Sequence, residues 1–284
     1  FRLIFTLKIL SKNLDEKSIL ISRSILFALV ASIKKKNIIL ELHHEITGFS
    51  KYLFLFLRQL RLIKNLKFIF LHKALRNKYK IENSKNIILD DAVNIENFNL
   101  AKTKKIKNTC VYIGSFFEGK GVEQIFRLAK LNKKIFFHIY GEKKYLIRQE
   151  IKKNIKIFDY VNYSKIPKIL SNYEIALMPY QKKVKGKGSI WLNKYMSPLK
   201  MFDYLAAKMV IIASDLIVYK HILKNDFNCK LVKINDDLKW SKTINAVLKN
   251  KKKKNYLKKN AYKTAKKYTW DLRCKKIISF ATKF

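Results

Sequence analysis

Short apolar runs rich in β-branched and aromatic residues alternate along this chain with longer segments of helical period, and no other feature narrows the fold as far. SILIS (18–22), NIILELHH (37–44), KFIFLH (67–72) and NIILDDAV (86–93) read as strands. Between them, SILFALVASIKKK (24–36), TGFSKYLFLFLRQLRLI (47–63) and KALRNKYKI (73–81) place apolar residues at helical spacing. Strands separated by helices pair in parallel, because each crossover returns the chain to the same end of the sheet. The pattern lapses over NLAKTKKIKN (99–108), which is polar and without apolar period, and a domain boundary is expected there. It then restarts. Strands are expected at 109–116, 134–141, 155–161, 173–180, 209–215 and 229–234, and helices at 121–132, 144–152, 164–172, 217–223, 238–250 and along the Lys-rich stretch from 251 to the C-terminus. A further helix opens within YMSPLKMFDYLAAK (195–208). The expected shape is two α/β halves in tandem.

With 284 residues, 49% of them hydrophobic, the chain can bury the core of one large domain or two ordinary ones, which argues against disorder. No apolar run reaches the roughly 20 residues that span a bilayer. The longest candidate, 19–33, is cut by Arg23 and reads as strand plus helix. Phe1 is not an initiator Met and no signal-peptide pattern follows, so the chain is expected to lack its true N-terminus. Cys110, Cys229 and Cys274 stand far apart without paired spacing, which suits a reducing compartment. No Cys/His cluster has zinc spacing, and His43 and His44 are sequential neighbours whose side chains diverge on a strand.

The net charge is +42, from 62 Lys+Arg against 20 Asp+Glu. Such an excess attracts polyanions: nucleic acid, phosphorylated ligands or an anionic membrane surface. Lys dominates Arg, though, and comes with abundant Ile and Asn along the whole chain, the pattern that codon bias in an AT-rich genome produces. A nucleic-acid-binding protein would gather its basic residues on one face with interleaved aromatics. Neither feature is present, so no nucleic acid is expected as a partner.

Two stretches could hold an anion. In VYIGSFFEGKGVEQI (111–125) a buried strand ends at Ile113, Gly114-Ser115 turns away, and Gly119-Lys120-Gly121 leads into a helix. Glycine turns and helix N-termini beyond strand ends present backbone N–H groups to phosphates, and Lys120 would add a point charge. The alternative is an ordinary βα loop with a solvated lysine. In YMSPLKMFDYL (195–205), Ser197 suits the N-cap and Pro198 the first helical position. The amides of Leu199 and Lys200 would then lie at the positive end of the helix dipole. Asp203, one turn on, could accept hydrogen bonds from a ribose. Alone, this is equally a well-capped helix with an acid that complements its dipole.

YIGSFFEGKGVEQI, FHIYG, IFDYVNYSKIPKILSNYEIALMPY, SPLKMFDYLAAKMVIIASD and YTWDLRCKKI occur in one order at compatible spacings. As an ordered set they resemble the nucleotide-binding half of the family 4 (group 1) glycosyltransferases, the retaining group with two Rossmann-like domains facing across a cleft (GT-B). ILISRSILFALVAS, IILELHHEI and NIILDDAVNIENF resemble the later strands of that family's acceptor domain, so the first domain is expected to be incomplete. The resemblance implies that Gly114, Ser115 and Lys120, with Ser197, Leu199 and Lys200, hold the donor diphosphate. It implies that Asp203, at the second position of the family's Glu-x7-Glu element, binds the ribose. Tyr160 or Val161 of FDYV would contact the nucleobase, or simply end a buried strand. His43 falls where relatives carry a histidine facing the reacting sugar, with His44 as its substitute and Glu45 a weaker acceptor contact. The sequence departs from the family at Ser115, where many relatives have Arg, and at Tyr195, which stands at the first acidic position. Lys208 and Val210 replace the usual Gly and Pro, and a Lys in the left-handed helix exit costs roughly 1 kcal/mol.

These observations lead to a fold of α/β class with the GT-B arrangement. Residues 1–103 form a partial acceptor-side domain, 104–267 the nucleotide-sugar-binding domain, and 268–284 a helix, opening at Trp270, that crosses back. The expected activity is retaining transfer of a sugar from a nucleotide-sugar to an acceptor hydroxyl, in cell-surface glycan synthesis. The nucleotide-sugar is a co-substrate, no other cofactor is expected, and without an Asp-x-Asp motif no metal is either. The partners are then the donor and a glycan or lipid-linked acceptor. A minority reading gives the runs KKVKGKG and KKKKNYLKK contact with an anionic membrane. Cytoplasmic localisation follows, with a peripheral position on the inner face of the plasma membrane as the variant. The competing classes are a non-catalytic relative, motivated by Tyr195, and a basic nucleic-acid-binding protein, motivated by the charge.

Overall fold

The computed structural model describes residues 18–34, 37–100, 104–142, 152–186, 191 and 194–282. Their contacts divide them into two compact units: one from Phe1–Asp90, Lys194–Ser197 and Asp271–Phe284, the other from Asp91–Asn193 and Pro198–Trp270.

The first unit is built on a parallel sheet of β1 (Leu20–Ser22), β2 (Ile38–Leu42), β3 (Lys67–Phe70) and β4 (Asn86–Ile88), paired in that order. Helices α1 (Ile25–Lys34), α2 (Phe49–Gln59) and α3 (Lys73–Tyr79) make the crossovers. Strands of a parallel sheet are covered on both faces, and the two-residue alternation shows how. Ile38, Leu40, Phe68 and Phe70 pack with Ala28, Leu29, Phe54 and Leu75 from the helices. Ile39 and Ile69 point the other way and meet Ile277, Phe280 and Ala281 of the C-terminal helix α9 (Trp270–Ala281). From Asp271 onward that helix belongs to this unit. His43 and His44 lie just past the end of β2, on a bend rather than on the strand.

The second unit holds a six-stranded parallel sheet: β5 (Thr109–Ile113), β6 (Phe136–Tyr140), β7 (Ile155–Phe158), β8 (Ile175–Met178), β9 (Val210–Ser214) and β10 (Cys229–Val232). Their order across the sheet is β10-β9-β8-β5-β6-β7. Counted from β5 this is 3-2-1-4-5-6, the doubly wound Rossmann order, in which the direction of winding reverses between the first and fourth strands. Helices α4 (Val122–Leu131), α5 (Ile166–Leu170), α6 (Leu199–Ala206), α7 (Asp237–Lys249) and α8 (Lys251–Ala265) cover it. Trp240, Ile244 and Leu257 from α7 and α8 join Tyr112, Phe137, Leu177 and Ile212 in its core.

Two further local expectations change. Residues 217–223 form one 3-10 turn, Ile217–Tyr219, rather than a helix. The Asn228 amide accepts from the Lys224 N–H and donates to the Ile222 carbonyl, so a side chain takes the bonds a longer helix would use. Pro198, not Ser197, occupies the N-cap of α6, and no side chain caps it. The basic run after Asn250 is partly neutralised: Lys254 and Lys258 reach Glu174 at 2.7 and 2.8 Å, and Lys253 reaches Asp226 at 2.8 Å. The helix expected over 144–152 lies outside the described residues except for Lys152. Among the described residues no helix is long and apolar enough to cross a membrane.

Candidate anion-binding site

In a doubly wound sheet, ligands bind beyond the carboxyl ends of the strands where the winding reverses. Here that point lies between β5 and β8, and the chain places a glycine turn on one side and Pro179-Tyr180 on the other. Gly114 follows β5 with φ of +144°, and a Cβ on it would stand 2.5 Å from the Lys200 Nζ. The space beside that turn is therefore filled by a lysine ammonium. Further along the loop, Gly121 caps α4 with φ of +82°. A Cβ there would stand 1.8 Å from the Pro179 carbonyl oxygen, so the GKG element can lie against the end of β8 only without a side chain.

Helix α6 is held over the turn by its own side chain: the Ile113 N–H donates to the Tyr204 hydroxyl at 3.0 Å. That anchor, one turn and a residue into the helix, brings its first residues above Gly114. The Lys200 Nζ lies 3.6 Å from the centroid of the Tyr112 ring and 5.4 Å from that of Tyr180. Lys120 comes from the other side, its Nζ 5.0 Å from the Tyr180 centroid. Among the described residues nothing accepts a hydrogen bond from the buried Lys200 Nζ. Ring faces offset part of its lost hydration, but an ammonium without an acceptor is costly in a low-dielectric interior. Burial, and then repulsion from Lys120, hold the Lys200 ammonium well below the usual lysine range, with Asp203 opposing. Burial brings Lys120 down to about 8.

Asp203 is 5% exposed and accepts a hydrogen bond from the Tyr163 hydroxyl at 2.8 Å. Burial raises its carboxyl to about 7, against the lowering effects of that bond and of Lys200. Ser115, in the same turn, accepts at its carbonyl oxygen from the Tyr112 hydroxyl at 2.7 Å. Leu199 opens α6 with its side chain half exposed. Tyr160 and Val161 follow β7; Tyr160 is 67% exposed and Val161 partly buried, so neither ends a buried strand.

Gly114, Ser115, Lys120, Leu199, Lys200 and Asp203 thus belong to one unit, and Gly114, Lys120, Lys200 and Asp203 form one cluster within it. Ser197 and His43 belong to the other unit. There the His43 Nε2 lies 2.6 Å from the Glu41 carboxylate, which Arg23 and Arg273 also reach at 3.0 and 3.2 Å. Burial pushes Glu41 upward, but the His43 hydrogen bond and the electrostatic influence of Arg273, His43 and Arg23 outweigh it and hold the acid at about 2. Tyr195 donates to the Glu45 carboxylate, whose other oxygen takes the Lys78 ammonium.

The tyrosines of the cluster were not foreseen. Tyr112 and Tyr180 flank the two strand ends and wall the lysines, and Tyr163 orients an acid forty positions away. All three lie in segments that carry the family resemblance, Tyr112 in YIGSFFEGKGVEQI and Tyr163 and Tyr180 in IFDYVNYSKIPKILSNYEIALMPY, but no spacing assigns them a role.

A Rossmann-like unit with a glycine turn, two converging lysines and a buried acid at its winding reversal defines the class: a doubly wound α/β protein. The family model described as glycosyl transferases group 1 matches residues 93–264, more than half the chain. The chain belongs to that family. No curated protein sequence matches it. Among solved structures it is similar to TarM at 17% identity (TM-score 0.72), covering 97% of this chain and 57% of TarM. It is also similar to a glycosyltransferase from Rickettsia africae at 14% identity (TM-score 0.74), covering 98% and 79% of the two chains. Anabaena HepE in complex with UDP is 10% identical (TM-score 0.75), with 99% and 82% covered. These are GT-B glycosyltransferases, and at such identities the likeness concerns the fold: two Rossmann-like sheets. The chain spans somewhat over half the length of TarM.

Proposed function

We propose that the protein is a retaining glycosyltransferase that moves a sugar from a nucleoside-diphosphate donor to an acceptor hydroxyl. The observation that carries this reading is the Lys200 ammonium, buried without an acceptor beside the Gly114 turn. A diphosphate arriving over Gly114 gives Lys200 and Lys120 an anionic hydrogen-bond acceptor that neither has among the described residues. Because Gly114 has no Cβ, the flexible Lys200 stem can swing across it toward the incoming oxygens. The amides at the start of α6 add the positive end of a helix dipole. Asp203, held by Tyr163, accepts from ribose hydroxyls, and Tyr160 or Val161 meets the base.

In a retaining transfer the acceptor hydroxyl attacks the face that the diphosphate leaves. Charge develops on the leaving phosphate oxygens, and preorganised donors aimed there supply the largest catalytic term. Lys120, Lys200 and the α6 amides are such donors, and they neutralise the phosphates without a metal ion. His43, fixed by Glu41, is the residue assigned to the reacting sugar and acceptor in the first unit. Ser197 and Ser115 are assigned to the diphosphate as well. The relatives support this donor class: S. aureus TarM is described in complex with UDP, fondaparinux and α-GlcNAc-glycerol, and Anabaena HepE in complex with UDP-glucose. By the same analogy the acceptor is a glycan or lipid-linked glycan of the cell surface, and the enzyme works on the cytoplasmic side of the membrane.

A second reading, a non-catalytic binding protein, is favoured by Tyr195, which puts a phenol where the family has an acid. Equilibrium titration with a panel of UDP- and GDP-sugars, followed by an assay for donor hydrolysis, separates the two. Saturable binding that is lost in Lys120→Ala and Asp203→Ala, together with slow hydrolysis, supports the transferase. Binding without turnover supports the second reading, and salt-sensitive RNA binding without nucleotide-sugar binding would sink both.

A further inference from the structure

Helix α2 is apolar on two faces, and only one of them is used by the core. Phe54 and Leu57 are buried in the first unit's core. Phe49, Tyr52 and Phe56, spaced as one stripe on the opposite side, are 73%, 71% and 58% exposed. Leu55 flanks that stripe, and Leu60 and Leu62 continue it into the following turn, all three at least 44% exposed. A surface helix normally turns polar residues outward, and one that is apolar all round is either buried or in contact with lipid. A contiguous apolar patch rimmed by polar groups marks an interaction site.

The rim identifies the occupant. From Glu45 to Glu82 the sequence contains no acidic residue, while Lys51, Arg58, Arg61 and Lys64 lie on α2 and its turn, all exposed. Among the described residues, Lys51, Arg61 and Lys64 form no ion pair. Aromatic and aliphatic side chains at the centre with uncompensated cations around them match the interfacial layer of an anionic bilayer. A second copy fits less well, because a two-fold contact would set the same basic rim against itself. A spanning role is ruled out for α2 by its length, eleven residues.

We propose that α2 and the turn after it form a membrane-docking face, which lies in the plane of an anionic bilayer with Phe49, Tyr52 and Phe56 inserted among the lipids. This segment is distinct in sequence from the basic runs at 182–188 and 251–259, and the proposal does not depend on the donor-site reading.

The test must separate insertion from the diffuse attraction of a +42 protein. Co-sedimentation with phosphatidylglycerol/phosphatidylcholine vesicles is compared with pure phosphatidylcholine vesicles, at about 0.15 M salt. The comparison uses the wild type and a Phe49→Ser/Tyr52→Ser/Phe56→Ser variant, whose net charge is unchanged. The expected result is binding to anionic vesicles that falls by at least about tenfold in the variant, with thermal unfolding retained. As an independent readout, Trp emission in a Phe56→Trp variant should shift to the blue on anionic vesicles. Equal vesicle binding by wild type and triple variant, or no emission shift, would overturn the proposal. Concentration-dependent self-association that the triple variant abolishes, without vesicle binding, would overturn it in favour of a self-interface.

Discussion

Lys200 and Asp203 lie three residues apart on α6, and burial acts on them in opposite directions: it lowers the proton affinity of the lysine and raises that of the acid. An aspartate whose carboxyl is raised to about 7 takes up a proton on folding, so its contribution favours the folded state at low pH. That contribution is fully present below about 4 and is lost as pH rises through 7. Relative to Asp203→Asn, the wild type should therefore lose on the order of 2–4 kcal/mol between pH 4 and pH 8, at about 1.4 kcal/mol for each tenfold change in proton affinity. Denaturant unfolding of both proteins across that range measures it, and parallel stability curves would refute the assignment. Lys120, Lys200 and Asp203 were legible in the sequence because each sits beside a turn or helix start that has its own signature. Their setting was not, since no spacing rule pairs Tyr163 with Asp203 or brings Tyr112 and Tyr180 around two ammonium groups.

At the scale of elements, the strand pattern was readable almost throughout, because a strand buried on both faces leaves an uninterrupted apolar run. The 217–223 segment misled because its apolar residues have helical spacing, while Asn228, several residues later, decides where its backbone bonds go. Helix α6 ends as expected, with Lys208 in the left-handed conformation at φ of +54°. The Met209 N–H bonds the Tyr204 carbonyl and the Lys208 N–H that of Leu205, the pairing of a Schellman motif. Lys208→Gly should relieve roughly 1 kcal/mol of backbone strain. It should also forfeit about 0.5–1 kcal/mol from the Lys208 ammonium over the Tyr262 ring, 4.3 Å away. The expected shift in unfolding free energy is therefore within about 0.5 kcal/mol of zero, whereas a gain of a full kcal/mol would show the ring contact to be idle. Gly121→Ala has no such compensation. With a positive φ and a carbonyl oxygen in the way, it should destabilise by more than about 2 kcal/mol and shift the loop that carries Lys120. A near-neutral melt would mean that this loop yields easily.

For the molecule as a whole, +42 charges on 284 residues make self-repulsion a global term. The melting temperature should rise as sodium chloride is raised from about 0.02 to 0.3 M, because screening shortens the reach of that repulsion. Pyrophosphate should raise it further at matched ionic strength, since it also binds the folded state; equal effects of the two salts would deny a specific anion site. The charge was the least informative part of the sequence, because its spread along the chain conceals a place where two half-buried cations converge. The central claim is that a diphosphate raises the proton affinity that burial has lowered at Lys120 and Lys200. Calorimetric titration of UDP and GDP at pH 8.5, in two buffers of different ionisation enthalpy, tests it directly. The account predicts saturable binding with uptake of on the order of one proton, diminished together with affinity in Lys200→Met. Binding without proton uptake, or binding that Lys200→Met leaves unchanged, would contradict it.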